Sequence, residues 1–278
     1  MKTTMIKGLC GAVLVACSSG AWAKCSDFNY DALTSAANVA AAGNTGGYGL
    51  PMWATVVDET GVVCFVTVSG QPPVNGAGAG NAEWLGSRVI SAQKANTANA
   101  FSINGYVIST ANLYSAVQPG GSLYGLQESN PVNPAVAYAG SPNQYGRKND
   151  PLKGKRIGGI NVFGGGVALF KNGVKVGALG VSGDTSCRDH AFAWRIRTAL
   201  GMTPQAPTVG ITTYNVNAFG VAQSPLPRAT VGDEMIIGDP NDTAASYWNA
   251  WAQPACPNSL KPAVIGDADN GTLTTLAP

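Results

Sequence analysis

The sequence has a single histidine, His190, among 278 residues. One imidazole excludes zinc sites built on two or three histidines. A Ser-His-Asp triad is also unsupported, because the adjacent Asp189 points to another side of the predicted helix and cannot orient the ring. The sequence contains neither a G-x-S-x-G nucleophile elbow nor a phosphate-binding P-loop. It therefore gives no support for a zinc hydrolase, a serine hydrolase or a P-loop nucleotide-binding protein.

Charged residues are also scarce, at 12% of the chain, and the formal net charge is +2. The first 23 residues carry two lysines and no acidic residue, so the chain without them has a net charge of about zero (+2 − 2). A neutral chain of this kind argues against a nucleic acid partner. The apolar content of 45% indicates a globular rather than a disordered chain.

No apolar run is long enough to span a bilayer, and we predict no transmembrane segment. The run Gly8–Ala16 is too short. It follows two lysines and precedes Ala21-Trp22-Ala23, an A-x-A site for signal peptidase. We therefore predict a signal peptide over residues 1–23 and a periplasmic or secreted protein. The alternative is a lipoprotein anchored through Cys17, because the four residues ending there also fit a lipobox.

The sequence lacks C-x-x-C and C-x-x-C-H, which excludes a dithiol redox motif, a zinc ribbon and covalent haem attachment of the c type. Four cysteines remain after the leader, an even number that suits an oxidising compartment. They allow three pairings. We favour Cys25–Cys64 and Cys187–Cys256, which would tie each end of the chain to the core.

The most informative stretch covers residues 164–201. Asn172-Gly173 separates two short apolar runs and predicts a β-hairpin, because both positions tolerate a positive φ. Ser186 and Asp189 have the spacing of a capping box. They predict a helix that ends at Gly201.

The remaining elements follow from periodicity and turn residues. We predict a helix over 29–42, strands over 52–57 and 62–68, a long helix over 83–101, a short helix over 110–117 and an irregular segment over 127–155. An irregular segment of that length is usually functional or disordered. The order α-β-β-α-α-β-β-α predicts an α+β fold with one antiparallel sheet and helices packed on it.

Residues 24–201 form the predicted domain, and residues 202–278 form an irregular extension that packs on the core. The extension is rich in Pro, Thr, Asn and Asp. Met235–Ile237 is a candidate strand within it. The sequence SYWNAWA, over residues 246–252, predicts a short aromatic helix or turn.

Three stretches carry a family resemblance: SRVISAQKANTANAF (87–101), LYSAVQPGGSLYGL (113–126) and VGALGVSG (176–183). In this order and spacing they resemble the GlcG/HbpS-like family of small haem-binding and haem-degrading domains, related to the C-terminal domain of PduO-type proteins. The resemblance spans residues 29–201. It implies a profilin-like arrangement of the sheet and helices, non-covalent haem binding and a homo-oligomer.

The resemblance makes His190, in the first turn of the last helix, the candidate axial ligand of haem and the candidate metal ligand. The alternative is a structural histidine that hydrogen-bonds a loop carbonyl. Lys94, in the long helix, is the candidate partner of a haem propionate or another carboxylate, and alternatively covers the sheet edge with its aliphatic stem. The family pattern often has Arg where this chain has Asn96, which leaves one cation fewer.

The Gly-rich loop over residues 118–126 is the third candidate element. Gly120 and Gly121 can present backbone N–H groups to an anion. Tyr124 can stack on a flat ligand or serve as a phenolate ligand. The alternative is a plain helix stop with Tyr124 packed in the core.

These observations favour an exported protein that binds haem non-covalently, with weak haem degradation as a further activity. The pocket would lie between the long helix, the Gly-rich loop and the last helix. We expect a binding protein rather than an enzyme and assign no catalytic residue. Two alternatives stay open: a sensor domain that takes another small acidic ligand, and a structural module that builds a homo-oligomer.

Overall fold

The computed structural model describes residues 24–42, 48–70, 84–205, 208–210, 214–216, 222–225, 232–236, 253 and 264–265. The predicted leader (1–23) and the aromatic stretch (246–252) lie outside these residues. The elements are α1 (Tyr30–Ala42), β1 (Trp53–Asp58), β2 (Val63–Val68), α2 (Leu85–Phe101), β3 (Tyr106–Val107), α3 (Pro134–Ala137), β4 (Gly166–Lys171), β5 (Val174–Ser182), α4 (Ser186–Ala199), β6 (Val209–Gly210), β7 (Tyr214–Val216), β8 (Ala222–Pro225), β9 (Met235–Ile236) and β10 (Val264–Ile265). None of the described helices has the length and apolar character needed to cross a membrane.

Two hairpins form one four-stranded antiparallel sheet with the order β2-β1-β5-β4. The hairpins join through β1 and β5, with Trp53 opposite Ser182. The turn of the second hairpin is at Asn172 and Gly173, whose φ angles are 53° and 78°. The α+β prediction is confirmed, and the turn has the positive φ values that its sequence indicates.

Helices cover both faces of this sheet, which explains why its central strands are apolar on both sides. Alternate residues of β1 point to opposite faces. Ala54 and Val56 belong to the core that includes α1 and α4. Trp53 and Val57 belong to the core that includes α2.

Helix α2 approaches the sheet closely because small residues meet at the contact. Ala92 and Ala95 on α2 are completely buried. Gly180 of β5 lies directly under the helix backbone, and a Cβ atom at this position would overlap the carbonyl oxygen of Ser91. The glycine at 180 is therefore required for the helix to lie at this distance from the strand.

The irregular segment over residues 127–155 is ordered. The sequence alone allowed either a functional or a disordered loop there. Asp150 forms a buried ion pair with Arg88 of α2, with 2.9 Å between Nε and Oδ2. The Arg88 guanidinium also stacks on the Tyr145 ring, 3.7 Å from its centroid. These contacts fasten the segment to the outer face of α2.

Upstream of that segment, the short helix predicted over 110–117 is present, but as 3₁₀ rather than α-helix. It forms two 3₁₀ turns, Thr110–Leu113 and Ser115–Val117. The backbone bonds join residues three apart, such as the Asn112 N–H to the Ser109 carbonyl at 3.1 Å. The Asn112 side chain also accepts the Ser109 N–H, which favours a tight turn over a longer helix.

The Cys25–Cys64 pairing is confirmed: this disulfide joins the start of the described chain to β2. Cys187, in the first turn of α4, is also disulfide-bonded. Its predicted partner, Cys256, lies outside the described residues, so that pairing stays a prediction.

We expect Gly180→Ala to lower the free energy of unfolding by at least about 2 kcal/mol, the usual cost of overpacking a well-filled core. The matched control is Gly86→Ala. Gly86 lies in the first turn of α2 with no atom within 4 Å of a Cβ placed there, so alanine should be neutral or slightly stabilising. Urea denaturation of both variants tests this, and equal stabilities would contradict the close packing of α2 on β5.

Candidate functional site

The candidate site lies at the N-terminus of α4, where the chain leaves β5. Thr185 caps this helix, and its side chain accepts the Arg188 N–H at 3.3 Å. The predicted capping box is therefore wrong by one residue, because Thr185 rather than Ser186 keeps the extended backbone of an N-cap. Asp189 instead accepts the Asp184 N–H at 3.0 Å.

Lys94 and Asp189 form a buried ion pair that joins α2 to α4. The Lys94 Nζ lies 2.7 Å from Asp189 Oδ2, and it also donates to the Val181 carbonyl at 3.0 Å. The carboxylate that Lys94 binds is thus one of the chain's own.

Burial shifts the pKa of both partners toward their neutral forms. It lowers the pKa of Lys94, while Asp189 acts in the opposite direction. It raises the pKa of Asp189 to about 6, again against the opposing effect of Lys94. Each charge is therefore maintained by its partner.

The space expected for a ligand beside α4 is filled by the protein's own groups. Gly165 has a φ of 118°, and a Cβ atom there would lie 3.2 Å from Lys94 Nζ and 3.0 Å from the Asp189 Cβ. The neighbouring Gly164 lies against the Met235 methyl group. The glycine-lined bends therefore admit internal side chains and leave no open slot here.

His190 is completely buried, with no exposed surface. Its Nδ1 accepts the Gly165 N–H at 3.4 Å. The alternative, a structural histidine that hydrogen-bonds a loop carbonyl, stays a prediction, and the interaction of the ring with the Asp233 backbone agrees with it. An imidazole that accepts at Nδ1 carries its proton on Nε2. Nε2 makes no hydrogen bond of good geometry among the described residues, but the Asp233 backbone interacts with the ring and raises its pKa.

Burial also determines the charge of this histidine. It lowers the His190 pKa to about 3, with Arg197 and Lys94 acting in the same direction and Asp233 opposing them. The ring is therefore neutral at physiological pH, the state in which an imidazole nitrogen can bind a metal. Lys94 and His190 both contact Gly165, through Nζ and Nδ1 respectively.

The Gly-rich loop agrees with each of its two interpretations only in part. Tyr124 is 69% exposed and does not lie in the core, whereas Leu126 packs on a buried cluster. The N–H groups of Gly121 and Tyr124 donate to carbonyls within the loop, at 2.8 and 3.3 Å. Those two groups are not directed at an anion.

Gly120 and Gly121 have different local constraints. Gly120 has a φ of 84° and open space beside it. A Cβ atom on Gly121 would overlap the Ala116 carbonyl, which accepts the Leu123 N–H at 2.8 Å. Both glycines therefore suit the helix stop, and Tyr124 remains an exposed ring beside it.

Sequence reasoning missed the residues that cover α4. Arg197 forms a fully buried ion pair with Asp233, at 2.6 and 3.0 Å. Its guanidinium also stacks on the Trp194 ring at 4.2 Å. Met235 and Gln253 add to the cover, and Gln253 accepts the Ser186 hydroxyl at 2.9 Å. The only local signal was the candidate strand at Met235, which the structure has as β9.

Comparison with known proteins identifies one family. The sequence pattern described as "Haem degrading protein HbpS-like" matches residues 28–196, more than half of the 278 residues. No curated protein matches the chain.

Several solved structures are similar. A haem complex of PduOC is 27% identical, with 63% of this chain and 94% of that chain covered and a TM-score of 0.41. The Klebsiella pneumoniae protein ORFY is 23% identical, with 63% and 90% covered and a TM-score of 0.40. A double mutant of Streptomyces reticuli HbpS is 17% identical, with 71% and 99% covered and a TM-score of 0.40.

We expect the imidazole of His190 to stay neutral throughout the range from pH 8 to pH 5. The unfolded chain takes up a proton near pH 6.5 but the folded chain only near pH 3, so acidification destabilises the fold. From pH 7 to pH 5 this contribution costs ~2 kcal/mol. NMR of the single histidine measures the titration directly, and a midpoint near pH 6.5 would contradict the buried ring.

His190→Gln is the control for the linked loss of stability. On acidification, Asp189 takes up a proton in the folded chain before it does so in the unfolded chain, because folding raises its pKa to about 6. This uptake stabilises the fold, and it does so equally in wild type and in His190→Gln. The difference between wild type and His190→Gln therefore isolates the histidine contribution. Between pH 7 and pH 5, wild type should lose ~2 kcal/mol more unfolding free energy than His190→Gln does.

Proposed function

We propose that this chain, which belongs to the HbpS-like family of haem-degrading proteins, binds haem non-covalently. The family match across residues 28–196 carries the proposal. The chemistry of His190 supports it, since a buried imidazole that stays neutral suits the axial coordination of iron.

His190 is the proposed axial ligand. Binding through Nε2 requires the ring proton to move to Nδ1, which breaks the contact with the Gly165 N–H. Tyr124, exposed on the Gly-rich loop with Gly120 and Gly121, is the second candidate to contact the ligand. Lys94 holds Asp189, and through it the first turn of α4, in place.

Weak haem degradation is a secondary proposal that follows from the family description. Bound haem would supply a redox-active iron, while the protein supplies the binding site and its electrostatics. The residues around His190 exclude water in this conformation, because the ring, Trp194 and Arg197 are all buried. We assign no catalytic side chain and expect binding to be the main activity.

A sensor for a non-haem carboxylate is the second candidate function. One observation favours it: Arg197 already holds a carboxylate, that of Asp233, in a buried two-point contact. Such a geometry is specific for planar acidic groups. A haem propionate is one source of that group and a small carboxylic acid is another.

Hemin titration of the mature protein tests haem binding directly. We expect a Soret band, and we expect His190→Ala to shift or abolish it because the only imidazole is lost. Tyr124→Phe keeps the aromatic ring for contact with the ligand and removes only the phenol oxygen, so it should leave the band unchanged if His190 is the axial ligand. Absence of any spectral change in wild type would contradict haem binding, and a band lost only in Tyr124→Phe would transfer the ligand role to Tyr124.

Export to the periplasm or the exterior, and assembly into a homo-oligomer, complete the proposal. The Cys25–Cys64 disulfide supports an oxidising compartment. We expect the mature chain to begin at Lys24, or alternatively at a lipid-bearing Cys17. The mass of the purified chain distinguishes these from an uncleaved leader, which would contradict export. Size-exclusion chromatography of the same sample tests the oligomer, and a monomer would contradict it.

A further inference from the structure

Residues 232–236, here called the covering segment, lie across the face of α4 that carries His190. Asp233 pairs with Arg197. The Glu234 carbonyl accepts from the Asn112 side chain at 2.9 Å. The Met235 methyl group fills the space beside Gly164, next to the His190 Cβ. All of these side chains of the covering segment are buried, so the segment is a packed part of the fold.

The polar atoms beneath the covering segment are only partly satisfied by the described residues. Nε of Arg197 has no hydrogen-bond partner among them. Nε2 of His190 makes no hydrogen bond of good geometry, although the Asp233 backbone interacts with the ring and raises the His190 pKa. Such groups are rare in native proteins and call for an explanation. A surface shaped only for the covering segment would be expected to satisfy them. Their presence indicates that this face has donor capacity, above all at Arg197 Nε, which the covering segment does not fully use.

These groups share one face of α4. His190, Trp194 and Arg197 are four and three residues apart, the spacing of neighbours on a helix surface. His190 and Arg197 are separated by about two turns, or ~10 Å along the axis. The face therefore presents an imidazole, an aromatic ring and a guanidinium in a line, which we call the α4 groove.

We infer that the covering segment is an internal competitor for the ligand of the α4 groove, and that Arg197 is the residue that recognises a carboxylate of that ligand. Asp233 takes the position of the ligand carboxylate, and Met235 takes that of its apolar part. The inference rests on the proposed function, because it assigns the ligand to the same face as His190. Binding then requires the covering segment to leave.

With this arrangement, the measured affinity depends on the open fraction, which is the fraction of molecules in which the covering segment has left the α4 groove. A ligand that binds only the open form has an apparent Kd equal to its intrinsic Kd divided by the open fraction. Asp233→Asn weakens the pairing of the covering segment with Arg197 and leaves both His190 and Arg197 in place. It should therefore tighten the binding of an acidic, flat ligand.

The single histidine provides a readout that needs no ligand. Diethyl pyrocarbonate acylates neutral imidazole, and mass analysis of the peptide that contains His190 gives the rate. We expect slow acylation in the full mature wild-type chain and an increase of about tenfold or more in Asp233→Asn and in Met235→Ala, in line with the larger open fraction. Equal rates in wild type and both variants would overturn the inference.

Asp150→Asn is the matched control for destabilisation. It breaks the buried ion pair between Arg88 and Asp150. This pair resembles Arg197–Asp233 in chemistry and burial but lies on the opposite face of the sheet. It should not increase His190 acylation. An increase equal to that of Asp233→Asn would show general loosening of the fold and would also overturn the inference.

Hemin titration of the same variants tests recognition. Asp233→Asn should lower the apparent Kd by about tenfold or more relative to wild type and to Asp150→Asn. Arg197→Met opens the α4 groove but removes the guanidinium, so it should bind at least about tenfold more weakly than Asp233→Asn. Hemin dimethyl ester, which lacks the carboxylates, should not distinguish these two variants. Equal hemin affinity in Asp233→Asn and Arg197→Met would overturn the role of Arg197.

The two levels of the proposal fail differently. Suppose that His190 becomes reactive in Asp233→Asn but no variant binds hemin. The haem function is then wrong, whereas the claim that the covering segment shields the α4 groove is supported. If wild type binds hemin and Asp233→Asn changes neither the acylation rate nor the Kd, the haem function stands and the competitor is wrong.

Discussion

The Lys94 ammonium lies in the interior, and the geometry of the site depends on how that charge is neutralised. Its partner is Asp189, one residue before the only histidine. Removing either charge would leave the other buried without compensation, which is strongly destabilising. The pair therefore holds the first turn of α4 against the end of β5, and with it the position of His190.

The glycines around this pair have a common physical role. Gly165 leaves room for Lys94 Nζ, and Gly180 leaves room for the backbone of α2. The family-like VGALGVSG stretch is thus explained by close packing of the helix on the sheet. The same glycines are not a lining for an open ligand slot. Haem binding at His190 must therefore involve a change in what covers α4, rather than the filling of a preformed cavity.

The local sequence was sufficient to predict those helices, strands and turns whose residues have strong intrinsic preferences. Asn172-Gly173 predicts its hairpin because only certain residues tolerate its φ values, and the alternation in β1 indicates a strand. The ion pairs Arg88–Asp150 and Arg197–Asp233 were not predictable, because their partners are 62 and 36 residues apart and no local periodicity links them. Without these pairs, neither the order of the 127–155 segment nor the cover on α4 is visible. The sequence left open whether Tyr124 is exposed or packed in the core, since loop orientation depends on distant packing.

The central claim is that the iron of bound haem is coordinated by the one imidazole of this chain. Because the sequence contains a single histidine, labelling the protein with ¹⁵N-histidine labels one residue only. Pulsed electron paramagnetic resonance of the hemin complex then reports whether that nitrogen is bonded to iron. We predict a strong ¹⁵N hyperfine coupling from His190. A hemin complex without it would contradict this account of the site.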